Sequence, residues 1–66
     1  MNTNKLKGKI KEKEANYKQC AEHVGISLTS FCSKVNGKVS FKLEEAEKLA
    51  TFLSMTNEEK TSIFLE

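Results

Sequence analysis

Ala21-Glu22-His23-Val24-Gly25-Ile26-Ser27 is the stretch whose reading decides the fold. It reads as the end of one short helix, a glycine-pivoted turn and the start of a second helix. Ala21 is small enough to let another helix approach closely. Gly25, four residues on, stands where a tight turn between helices needs a residue that tolerates positive φ. Ile26 is an apolar plug just after the turn, and Ser27 is a cap for the next helix. An alanine, a glycine and a buried aliphatic in this order are what a helix-turn-helix requires.

Working outward, helical signals fill the chain. The spacing predicts a first helix over about 3–14, with Leu6 and Ile10 as an i,i+4 apolar pair. Lys5, Lys7, Lys9, Lys11 and Lys13 fill most of its remaining surface, and they either steer an anionic partner or solvate the helix. Gly8 inside it costs about 1 kcal/mol relative to alanine. A second helix starts near Asn16, with Gln19 completing a capping-box pattern and Cys20, Ala21 and Val24 facing inward. A third runs over about 28–35, carries Phe31 and Val35, and ends at Asn36-Gly37. A fourth covers about 41–53 with Ser40 as its cap. Leu43, Ala46, Leu49, Ala50 and Leu53 give its inner face, and Glu44, Glu45, Glu47 and Lys48 are expected in solvent. Thr56 and Glu59 form a capping box that opens a last helix carrying Ile63, Phe64 and Leu65. The expected architecture is all-α, five short helices in one domain over 1–66. Its core combines Leu6, Ile10, Cys20, Ala21, Val24, Ile26, Phe31, Val35, Leu43, Ala46, Leu49, Ala50, Leu53 and Ile63.

Size and composition narrow the function. Sixty-six residues hold a single small core. The chain has no Asp, no Arg and one histidine, and it lacks a glycine-rich phosphate loop, so no catalytic constellation is visible and an enzyme is not expected. No cofactor or small-molecule substrate is implied. Cys20 and Cys32 are read as free thiols in a reducing compartment. A zinc site needs about four ligands, more than this pattern offers, so no metal is expected. His23 is expected on the surface. No apolar run approaches the ~20 residues that span a bilayer. The opening Met1-Asn2-Thr3-Asn4-Lys5 lacks the apolar stretch of a secretion signal, so the cytoplasm is the expected location. Net charge is +2, but residues 1–42 carry nine Lys and three Glu (+6), whereas 43–66 carry two Lys and six Glu (−4). One face is therefore expected to meet phosphates and another not.

The run Gly25-Ile26-Ser27-x-x-x-Phe31-x-x-Lys34-Val35-Asn36-Gly37-Lys38, with Leu6-Lys7-Gly8-Lys9-Ile10 upstream, resembles the lambda-repressor-like helix-turn-helix family. It is similar in particular to the small Cro and repressor proteins of phages of Gram-positive hosts. The resemblance covers nearly the whole chain and is strongest over Asn16 to Lys38, with the motif at about 16–36. It implies a sequence-specific DNA-binding transcriptional regulator. The helix at about 28–35 would lie in the major groove, and the partner would be a double-stranded operator. Base contacts would come from Ser27, Leu28, Thr29, Ser30 and Ser33. Phosphate contacts would come from Asn16, Tyr17, Lys18, Lys34, Asn36, Gly37, Lys38 and Lys42. Tyr17 departs from the glutamine common at that point. Lys34 stands where relatives bury an aliphatic, so the third helix is expected to be rotated or differently packed.

The reading face has no Arg or Gln for the strongest base contacts. Leu28 and Thr29 offer contacts to thymine methyl groups, and the hydroxyls bond to several bases, so much of the affinity would come from lysines on phosphate. Ile63, Phe64 and Leu65 are the expected patch for a homodimer, which would set two recognition helices about one DNA turn (~34 Å) apart. The alternative is a protein-interaction module on the same helical scaffold, with no DNA binding.

Overall fold

The computed structural model describes residues 1–65. They form five α-helices and no strand. Helix α1 is Thr3–Glu12, α2 is Tyr17–Val24, α3 is Leu28–Val35, α4 is Leu43–Phe52 and α5 is Asn57–Phe64. The all-α, five-helix expectation therefore holds. Helix α2 packs on both α3 and α4, while α1 bridges α3 and α5. Leu6, Cys20, Phe31, Val35, Leu49 and Leu53 lie fully buried at the centre.

Local chemistry explains each boundary. The Asn2 side chain accepts from the Lys5 N–H at 3.0 Å and starts α1. Its own backbone N–H donates to the Ile63 carbonyl at 2.6 Å, which ties the first residues to the end of α5. Asn16 and Gln19 exchange side-chain and backbone hydrogen bonds at 2.8 and 3.1 Å, so the capping box read in the sequence is made. Thr56 and Glu59 do the same at the start of α5. Gly25, at φ +86°, ends α2, and the N–H groups of Gly25 and Ile26 both donate to the Ala21 carbonyl. Gly37, at φ +80°, ends α3 by a Schellman turn: its N–H donates to Lys34 and that of Lys38 to Ser33. The same turn closes α1 at Glu14 (φ +55°) and α4 at Ser54 (φ +53°), two residues with a Cβ where glycine is favoured.

Two boundaries differ from expectation. Helix α1 ends at Glu12, two residues short of the expected 14. Helix α4 starts at Leu43, so Ser40 is not its cap. The reason is Phe41, which stays outside the helix and turns its ring inward. It packs edge-on against Phe31 at 5.9 Å and Phe64 at 5.8 Å. Lys42 becomes the N-cap residue, and its N–H donates to the Glu45 carboxylate at 2.9 Å.

The core list needs two corrections in this region. Leu43, expected inside, is 80% exposed, because Phe41 closes that end of the core in its place. Glu45, expected in solvent, is buried. Ile26 and Ala46 are half-buried, and Ala15, Tyr17, Phe52 and Met55 pack around the core from its edges. Helices α1 and α5 are further joined by Lys9, whose ammonium bonds Glu59 at 2.6 Å and Glu12 at 3.0 Å. The Glu59 and Glu12 carboxylates raise the Lys9 pKa, and the same bond lowers that of Glu59.

Candidate nucleic-acid interface

The start of α3 is the most exposed segment of the two helices around the Gly25 turn. Ser27 sits at the N-cap with an extended backbone, and its Oγ accepts from the Ser30 N–H at 3.1 Å. The Ser27 hydroxyl donates to Ser30 Oγ at 3.0 Å. Ser27 and Ser30 are thus partly engaged in capping the helix, and the Ser30 hydroxyl proton is left for a further acceptor. Leu28 is 46% exposed, Thr29 is exposed beside it, and Ser33 is half-buried one turn on. An exposed leucine at a helix start lacks the contacts that would remove its apolar surface from water.

The opposite face of α3 holds the helix in place. Phe31 and Val35 are fully buried. Tyr17 from α2 meets Phe31 edge-on at 5.6 Å. Helical spacing then leaves Thr29, Ser30 and Ser33 away from that anchor, whereas Ser27 and Leu28, four and three residues before Phe31, share its side of the helix and are nonetheless exposed.

Lys34 requires a correction. It is expected on phosphate, but the structure buries it and pairs its ammonium with the Glu45 carboxylate. The two side chains are each 11% exposed. The aliphatic stem of Lys34 fills the place of the apolar residue expected there, and its charge is met at the far end of the stem. The Lys34 ammonium, and next the Lys42 N–H, hold the Glu45 carboxyl below the ordinary carboxylate range. Nothing in the sequence spacing signals this pair, because the two residues lie on different helices.

The remaining phosphate candidates lie on α2 and in the segment that follows the end of α3. Lys18, Lys38 and Lys42 are exposed. Asn16 and Gln19 use their side-chain oxygens within the capping box, which leaves the NH₂ groups as donors. Gln19 was not among the expected contacts, although its place three residues after the cap was legible. Asn36 donates from Nδ2 to the Cys32 carbonyl at 2.9 Å, so its amide is partly engaged. Tyr17 is half-buried through its ring.

Elsewhere, the expected dimer patch is only partly a surface. Ile63 is 3% exposed and belongs to the core, because α5 turns it toward α1. Phe64 is half-buried against Phe41, whereas Leu65 is 80% exposed. Leu65 lines a groove with Met1, Val39, Leu43, Ala46 and Phe64, and that groove is the apolar surface that remains. His23 is exposed and stacks on the Phe52 ring at 3.9 Å. Cys20 and Cys32 are free thiols, and burial pushes the Cys20 thiol up. Among the described residues, no helix is long and apolar enough to cross a membrane.

No curated protein and no solved structure matches the chain. A family model does, over residues 1–66, and by that match the chain belongs to the family described as Protein of unknown function (DUF739).

Proposed function

We propose that this protein is a sequence-specific DNA-binding transcriptional regulator of the lambda-repressor-like, Cro or repressor type. In this reading α2, the Gly25 turn and α3 form a helix-turn-helix, and the start of α3 enters the major groove. Leu28, Thr29, Ser30 and Ser33 meet base edges, with Ser27 holding the helix start. Asn16, Lys18, Asn36, Gly37, Lys38 and Lys42 meet phosphates. Tyr17 belongs to that group through its hydroxyl; Lys34 does not. The regulator acts in the cytoplasm of a bacterial host.

One observation carries this reading. The exposed start of α3 bears a leucine and a row of hydroxyls, and the exposed lysines on α2 (18) and after the end of α3 (38 and 42) make no ion pair among the described residues. The lysines of residues 43–65, by contrast, lie within 3.4 Å of carboxylates: Lys48 with Glu44 and Lys60 with Glu47. Positive charge not neutralised within the fold, together with small polar side chains, fits a phosphate backbone with base edges between its strands.

Pairing of two copies belongs to the same proposal. The groove lined by Val39, Leu43, Phe64 and Leu65 is apolar along its length, and Glu47 and Lys60, paired at 3.3 Å, stand together at one end. A two-fold arrangement would cover that apolar lining with its own copy.

Selection of bound duplexes from a randomised pool, followed by gel-shift titration of the winner at several salt concentrations, tests the proposal. Enrichment of a near-palindromic site whose affinity falls steeply with salt is the expected result. Binding to a protein with no affinity for any duplex would replace this reading with that of an interaction module.

A further inference from the structure

This inference rests on the DNA-binding reading above and assigns part of its phosphate-contacting surface. The lysines of α1 alternate along the sequence, but 3.6 residues per turn distribute them to different flanks. Lys5 and Lys9 form one i,i+4 pair and face α5. The Lys5 ammonium donates to Ser62 Oγ, and Lys9 is held by Glu59. Lys7 and Lys11 form the other i,i+4 pair, and Thr3 heads their row. Thr3 lies against the turn that ends α3: its Oγ1 is 3.4 Å from where a Cβ on Gly37 would stand. The row Thr3, Lys7, Lys11 therefore leads away from the Gly37 turn along the flank of α1 opposite α5. Lys7 and Lys11 are exposed, and neither makes an ion pair among the described residues.

We propose that Lys7 and Lys11 extend the phosphate-binding surface of Gly37 and Lys38, holding the backbone of duplex DNA beside the segment faced by α3. Lys5 and Lys9 serve the contact between α1 and α5 instead. Four of the five alternating lysines thus divide into a pair for the ligand and a pair for the fold. Successive helical turns are ~5.4 Å apart, and the lysine stems are long and flexible, so the two ammonium groups address separate phosphates. Such contacts carry no sequence information.

The test compares Lys7→Gln/Lys11→Gln with Lys5→Gln/Lys48→Gln, which removes the same charge from other flanks. Dissociation constants are measured over a range of salt on a duplex that the wild type binds. Each phosphate contact contributes about 0.9 to the slope of log affinity against log salt, so the first variant should lower the slope by about two units. The second should leave the slope near the wild-type value. The ratio of specific to non-specific affinity should stay constant in both; the unfolding midpoint of the first variant should match the wild type, and that of the second should fall slightly, since Lys5 bonds Ser62 across the α1–α5 contact. Equal slopes for the two variants, with the wild type binding duplex, would overturn this inference alone. A wild type that binds no duplex would overturn it together with the DNA-binding reading.

Discussion

The two ends of α3 are built differently. At its start, Ser27 and Ser30 satisfy each other, Leu28 and Thr29 face outward, and little besides the Gly25 turn fixes the chain. At its end, Val35 is fully buried and Lys34 is clamped by a carboxylate from α4. Phe31, between them, anchors to Tyr17 and Phe41. A face that must meet a rigid duplex benefits from this division, because rotation of the helix is stopped by one end while the other stays uncovered.

The comparison can be broken most strongly at the clamped end. Glu45→Ala leaves the Lys34 ammonium without its partner near the core, which should cost about 2 kcal/mol in urea unfolding at neutral pH. The long stem lets the charge move toward water, so the loss should stay below that of a fully enclosed ion. Lys34→Met with Glu45→Gln removes both charges and keeps both volumes, so it should recover most of that stability. A double variant as unstable as Glu45→Ala alone would show that the attraction within the Lys34–Glu45 pair itself, not the exposure of an unpartnered charge, is at stake.

At the exposed end, Gly25→Ala places a side chain at φ +86°, where space is open but the backbone conformation is unfavourable. Its expected cost is about 1 kcal/mol. The converse change, Ser54→Gly at φ +53°, relieves such a conformation and should stabilise by about 0.5 kcal/mol. Calorimetric midpoints shifting in opposite directions would verify both. Thr29→Ala should scarcely change stability. It should lower discrimination between a selected duplex and a scrambled one about fivefold, the equivalent of ~1 kcal/mol. Equal loss on both duplexes would remove Thr29 from base reading.

Acid sharpens the same contrast. The bound forms of Glu45 and Glu59 titrate below the ordinary carboxylate value of 4.5. In the unfolded chain these groups take up protons first, so their contribution is whole above pH 4.5. It fades as pH falls from there through their lower folded values. For Lys9 the folded pKa is raised, so its contribution is whole below 10.5 and fades as pH climbs through the higher folded value. Glu45→Gln should flatten the acid limb of a stability profile and leave the alkaline limb in place.

Features set by neighbours in the chain were legible in the sequence. The capping boxes at Asn16–Gln19 and Thr56–Glu59, the bounds of α3 and the left-handed Gly25 and Gly37 all depend on contacts within a few residues. What escaped the sequence depends on elements meeting in space. Phe41 turns inward because Phe31 and Phe64 offer it edges to pack on, and that displaces Leu43 to the surface. Ile63, read both as core and as part of a dimer patch, is core alone once α1 and α5 come together. Lys34 looked like a phosphate ligand until Glu45, eleven residues away, was brought beside it. In the candidate site the outward placement of Thr29 and Ser30 could be read from the spacing of Phe31 and Val35, whereas the exposure of Ser27 and Leu28 and the separation of free from engaged lysines could not.

The most direct test is a titration of the ¹⁵N-labelled protein with a duplex obtained by selection, followed by amide chemical shifts. The account predicts the largest changes at Ser27 to Ser30, Ser33 and Asn36 to Lys38, with α5 little affected beyond any pairing of copies. Shifts confined to α4 and α5, or none at a concentration that saturates a gel shift, would contradict it.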